Sequence, residues 1–155
     1  TFFVECLFTL EATAPSQLQI GRYLPTTPIR VLLDKSGNNL AEKVSEAVLD
    51  QQLSPTKKQV ALQLVKALKQ QISPLIVKAE THAQAHVSAI QNNALNTMCN
   101  KLDDEHARLS ALAKINPSVR QDEIDFILQK KLELQTFINK SQLKFEAIRL
   151  IVVTH

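Results

Sequence analysis

From Ser54 to Ile115 apolar residues recur every three or four positions: Ala61, Val65, Leu68, Ile72, Ile76, Ala79, Ala83, Val87, Ile90, Ala94, Met98, Leu102, Leu109 and Leu112. At 3.6 residues per turn they form one continuous stripe, so the spacing predicts a long helix that needs a partner. Ser54 before Pro55 supplies a start, since a hydroxyl can cap an orphan N–H and proline loses nothing at the first helical position. Pro74 falls inside the stripe, where its ring meets the carbonyl of Gln70 and its missing N–H forfeits a bond, at a cost of ~3 kcal/mol. The Ser73-Pro74 pair repeats the cap pattern, but the stripe keeps phase across it, which favours a kink over a restart. Asn116-Pro117-Ser118 closes the run, and Asp122 and Glu123 suit the first turn of a second helix. This second arm, Arg120 to about Ser141, offers Ile124, Ile127, Leu128, Leu134, Phe137 and Ile138 to the first, which makes a helical hairpin.

Period-two patterning marks the ends of the chain. Phe2, Val4, Cys6, Phe8, Leu10 and Ala12 alternate with Glu5, Thr9 and Glu11, which predicts a strand. It begins at full strength with no turn or cap ahead of it, as expected of a piece cut from a longer protein. Ala14-Pro15-Ser16 ends it, and Gly21, Pro25 and Pro28 keep Ser16 to Thr27 a connection. Ile29, Val31 and Leu33 alternate around Arg30 in a second strand, which stops at Asp34-Lys35-Ser36-Gly37-Asn38, where Gly37 can take the positive φ of a tight turn. Leu40 to Leu53 is ambiguous between strand and helix, and Val44 to Leu49 is read as a short third strand. Ile148, Leu150, Ile151, Val152 and Val153 are nearly continuous, which predicts a C-terminal strand buried inside the sheet and covered on both faces. The fold class is therefore α+β: a small, mainly antiparallel sheet from the N-terminal strands plus the C-terminal strand, with a long inserted helical hairpin. It is read as a single domain over 1–155, with 1–53 forming the sheet, 54–142 the hairpin and 143–155 the closing strand.

Composition narrows the chemistry. With 45% hydrophobic and 21% charged residues the 155-residue chain has the balance of an ordinary globule. Its apolar runs fall short of the ~18–20 residues of a bilayer crossing, and TFFVECLFTL lacks the basic flank and cleavage site of a secretory signal. A cytoplasmic chain with no membrane partner is expected, and with it reduced Cys6 and Cys99. Only two glycines occur, Gly21 and Gly37, which excludes a Walker A loop, a dinucleotide fingerprint and a nucleophile elbow. No catalytic, cofactor-binding or metal-binding residue is expected in this chain.

The remaining clusters have plain readings. His82 and His86 stand four apart, a spacing that lets two imidazoles share a metal, but no third ligand is evident and they read as rim histidines. Cys99 and His106 are two turns apart and need a further ligand. Asp103, Asp104 and Glu105 with Lys101 and Arg108 read as a solvated face, Asp104 and Arg108 being an i,i+4 pair worth about 0.2–0.5 kcal/mol. Lys57, Lys58, Lys66 and Lys69 make a modest basic stripe without interleaved aromatics, a weak nucleic-acid face or a solubilising one. A net charge of +3 does not decide between them. Val87, Ile90 and Leu95, placed far from the sheet, leave room for a homodimer through the hairpin.

Two stretches carry a more specific signal: Gln17-Leu18-Gln19-Ile20-Gly21-Arg22-Tyr23-Leu24-Pro25 running on through Pro28-Ile29-Arg30-Val31-Leu32-Leu33-Asp34-Lys35-Ser36-Gly37-Asn38-Asn39-Leu40-Ala41, and the terminal Ala147-Ile148-Arg149-Leu150-Ile151-Val152-Val153-Thr154-His155. With the link Asn116-Pro117-Ser118-Val119-Arg120 they resemble, in order, the C-terminal region of the RapA (HepA) family of bacterial RNA polymerase-associated proteins. The resemblance implies a nucleoid-associated Swi/Snf-type, DNA-dependent ATPase that binds RNA polymerase and promotes its recycling. ATP and Mg would belong to helicase-like lobes N-terminal to these residues. This chain carries none of their motifs, so the resemblance implies a non-catalytic accessory domain. Its implied partners are RNA polymerase and the remaining domains of its own chain, with a nucleic-acid-binding module as the alternative.

Overall fold

Even-numbered residues from Phe2 to Leu10 are all buried and odd-numbered ones half-buried, the two-sided pattern of a strand with its neighbours in place. This is β1, Phe2–Glu11, the centre of a three-stranded antiparallel sheet ordered β2-β1-β3. The computed structural model describes residues 1–154. In order it continues with two 3-10 turns, Ser16–Leu18 and Ile20–Arg22, then β2 (Thr27–Leu33), α1 (Glu46–Gln52), α2 (Lys58–Ala113), α3 (Gln121–Asn139) and β3 (Gln142–Val152). No helix among the described residues is long and apolar enough to cross a membrane.

The chain divides into two compact units. The first comprises 1–9, 28–86 and the stretch from Leu143 onward. Its core joins Phe2, Val4, Cys6 and Phe8 of β1, Ile29, Val31, Leu32 and Leu33 of β2, Leu75, Ala79 and Ala83 of α2, and Ile151 of β3. Backbone from elsewhere in the unit comes close to α2 at Lys78 and His82. The turn after β2 does so: Gly37, at φ +89°, sits against Lys78, and its carbonyl lies 3.2 Å from His82 Nε2. Asp34 closes the turn, its Oδ1 accepting from the N–H groups of Ser36 and Asn38 at 2.9 Å each.

The second unit comprises 10–27 and 87–142. Here the latter part of α2 and α3 form the expected hairpin. Val87, Ala94, Met98 and Leu102 are buried with Ile124, Ile127, Leu134 and Ile138, and with Leu18, Tyr23 and Leu24 of the connection after β1. Fully burying each of the larger aliphatics stabilises by roughly 1.5–3 kcal/mol. Gln91 Nε2 donates to Ser141 Oγ (2.8 Å) and to the Ile138 carbonyl (3.3 Å), satisfying the end of α3 where its last carbonyls lack helical partners.

Several expectations are corrected. Residues 44–49 are not a strand: Ser45 caps α1 by accepting the Val48 N–H, with Glu46 in the first turn. The long helix does not start at Ser54; its first ladder bond runs from Ala61 N–H to the Lys57 carbonyl, and Ser54 to Lys57 connect it to α1. As the unbroken stripe favoured, it does not restart at Ser73: α2 runs on as one element with Pro74 inside it. Leu128 is exposed rather than turned inward.

β3 is an edge strand, not one flanked on both sides, and only Ile151 in it is fully buried, while Phe145, Ile148 and Val153 just beyond it are exposed. Its last expected residue, His155, lies outside the described residues. β3 also changes register. Phe145 meets Phe8 edge-on with ring centroids 5.3 Å apart, whereas Arg149 reaches Glu5. Phe8 and Glu5 point to opposite faces of β1, so Phe145 and Arg149 do as well, although residues four apart share a face in a regular strand. The pairing therefore slips by one residue between them, the signature of a bulge.

Candidate interaction surface

Chemistry-bearing residues are dispersed. His82 is occupied with the Gly37 carbonyl, and His86 is exposed one turn on. Cys99 Sγ takes a weak bond from Gln135 Nε2 at 3.7 Å, and both cysteines are free thiols. No group of three or more metal-ligating side chains forms among the described residues. Burial first, then the neighbouring Glu5 charge, pushes the Cys6 thiol up to about 11, so it is not a nucleophile near neutral pH. Of the acidic run, the paired residue is Asp103, 2.7 Å from Lys131 Nζ, while Lys101 stands 5.9 Å over the Tyr23 ring. Val87 is buried and Ile90 and Leu95 half-buried, so these three present little free surface.

A charge ladder crosses the sheet face opposite Phe8. Glu5 accepts from Arg30 Nε at 2.8 Å and lies 2.9 Å from an Arg149 terminal nitrogen, and Arg149 donates to Asp50 of α1 at 2.8 Å. Arg30 also donates to the carbonyls of Ala41 and Val44, which holds the approach to α1. For Arg149, burial opposes the charge but Asp50 and Glu5 more than offset it, raising its pKa. No single motif announced this ladder. Its members, Glu5, Arg30 and Arg149, are charged residues set among apolar ones in three different strands.

The exposed lysines gather elsewhere. Lys57 through Ala79 contains five lysines and no aspartate or glutamate. Lys57 sits just ahead of α2, and Lys58, Lys66 and Lys69 are exposed along its first turns. Between Lys58 and Pro74 no residue is buried. Leu64, Leu68 and Ile72 are half-covered, while Leu62 and Val65 keep 53% and 46% of their surface in water. Lys58, Leu62, Val65 and Lys69 are spaced i, i+4, i+7, i+11 and so share one face, with Lys66 beside them. About two turns beyond the lysine stripe a shallow depression is lined by Val77, Glu80, Thr81, Gln84 and Ala85. The sequence pointed to the four lysines of this surface but assigned Val65 to the core stripe, and so missed that apolar and basic side chains alternate here in the open.

Compared with known protein families, the chain matches over residues 1–153 the model described as RNA polymerase recycling family C-terminal.

Proposed function

We infer that this chain, which belongs to the RNA polymerase recycling family and spans that family's C-terminal region, is the accessory domain through which a recycling protein makes contact with polymerase. The family match over nearly the whole chain carries this reading. What supports a non-catalytic role is the dispersal of reactive groups: a thiol raised out of the reactive range, histidines spent on backbone or solvent, and carboxylates paired with lysine or arginine. ATP hydrolysis with Mg, by the Swi/Snf resemblance, belongs to other lobes of the full-length protein. Purified full-length protein should retain core RNA polymerase on a column, and deleting this domain should weaken retention while leaving ATP turnover. Unchanged retention would overturn the reading.

A second reading, direct nucleic-acid binding by Lys57, Lys58, Lys66 and Lys69, has their exposure in its favour. Affinity for duplex DNA that falls steeply with added salt and is lost on replacing these lysines would support it.

A further inference from the structure

We propose that the first turns of α2 are a helix-docking strip whose occupant is an amphipathic helix on the surface of RNA polymerase, with carboxylates flanking its apolar seam. The inference rests on the polymerase-contact reading above and specifies which surface makes the contact. Three observations converge on the strip. Its apolar residues flank the face that is buried further along, at Leu75, Ala79 and Ala83: from Lys58 to Pro74 that face is only half-covered, at Leu64, Leu68 and Ile72, and Leu62 and Val65 beside it stand in the open. A helix stabilises chiefly by burying such a face against a neighbour.

The spacing of Lys58, Leu62, Val65 and Lys69 is that of one helix laid along another, two apolar contacts bracketed by cations. The charge is one-signed: five lysines with no carboxylate from Lys57 to Ala79, so a partner that neutralises them must be acidic. Leu62 and Val65 argue against a phosphate backbone as the occupant, because apolar side chains between the cations would be dehydrated against phosphates without gain. No aromatic stands among them on which bases could stack.

The test uses the full-length protein bearing this domain, with core RNA polymerase as the probe and duplex DNA in parallel. Two sets of substitutions are compared: K58E with K66E and K69E, and Leu62→Ser with Val65→Ser. All five positions are exposed, so far-UV spectra and melting temperature should match the parent. Each set is expected to weaken polymerase binding by about tenfold or more, since a helix seam needs both its charges and its apolar contacts. If the parent binds polymerase and both sets bind equally well, the strip is not the docking site, although the accessory role stands. If the charge set alone weakens binding, and weakens DNA binding in parallel, the occupant is nucleic acid and the proposal falls. If the parent itself fails to bind polymerase, the underlying reading falls with it.

Discussion

The carbonyl of Gly37 lies 3.2 Å from Nε2 of His82, forty-five residues further along the chain, and this contact fixes the turn after β2 onto α2. The approach is close because position 37 has no side chain: a Cβ there would stand 2.7 Å from Lys78 Cδ, and the backbone is at φ +89°. Gly37→Ala therefore meets two costs, left-handed strain of roughly 1–2 kcal/mol and displacement of a flexible lysine. Thermal unfolding should shift down by several degrees. Replacing Lys78 with Ala in the Gly37→Ala background should recover part of the loss, by removing the clash and leaving the strain.

Asp34, three residues earlier, makes the same turn sensitive to acid. Its carboxyl is held below the ordinary 3.8, foremost by the backbone N–H of Asn38, against slight desolvation, and further by the Asn38 amide and the N–H groups of Ser36 and Gly37. A depressed folded pKa means that the unfolded chain takes up the proton first. The contribution is complete above the unfolded value, and is lost as pH falls from there through the folded pKa. Asp34→Asn should lower stability near neutral pH and flatten the profile below about pH 4, measured as melting temperature against pH. Parallel profiles for parent and variant would contradict this.

The Glu5 ladder predicts an asymmetry. Glu5 is 12% exposed and faces two guanidinium groups, whereas Arg149 keeps 38% of its side chain in solvent. Glu5→Ala leaves Arg30 largely buried without its carboxylate, so its cost should approach the ~3–5 kcal/mol of a broken buried pair. Arg149→Ala leaves Asp50 free to hydrate and should cost about 1 kcal/mol or less. Denaturant titration with an unchanged m-value would measure both. Equal costs would mean that the ladder is anchored by α1 rather than by β1.

How much of the fold could be read in advance depended on whether a pattern was local. β1 declared itself by alternation because one of its faces is buried and the other only half-covered, and the hairpin by a stripe that α3 answers at Ile124, Ile127, Leu134 and Ile138. The family resemblance rested on the connection after β1, where Leu18, Tyr23 and Leu24 are buried, and on β3. α1 was misread although its signal was present: Ser45 before Glu46 is an N-terminal cap, and the apolar pair Val44 and Val48 obscured it. The uncovered start of α2 could not be read, because an apolar stripe has the same sequence with or without a neighbour. The Glu5 ladder depends on strand order, which no local pattern encodes.

In β3 the position of the strand outweighs its pattern. Five nearly continuous aliphatics suggested a strand covered on both faces, but at the sheet's edge only one of them, Ile151, is 7% exposed, while Ile148 is 44% exposed. Their chemistry is alike and their surroundings are not. Ile151→Ala removes packed atoms and leaves a cavity, at roughly 2–5 kcal/mol, a large share of the ~5–15 kcal/mol that holds a typical domain. Ile148→Ala mainly relieves exposed apolar surface and should stay within about 0.5 kcal/mol of the parent. Phe145→Ala should lie between them, because the ring is half in water yet meets Phe8 edge-on, a contact worth about 0.5–1.5 kcal/mol beyond area. Chemical denaturation of the three variants should rank them Ile151, Phe145, Ile148 in order of falling cost. A loss at Ile148 equal to that at Ile151 would restore the strand to the interior of a sheet.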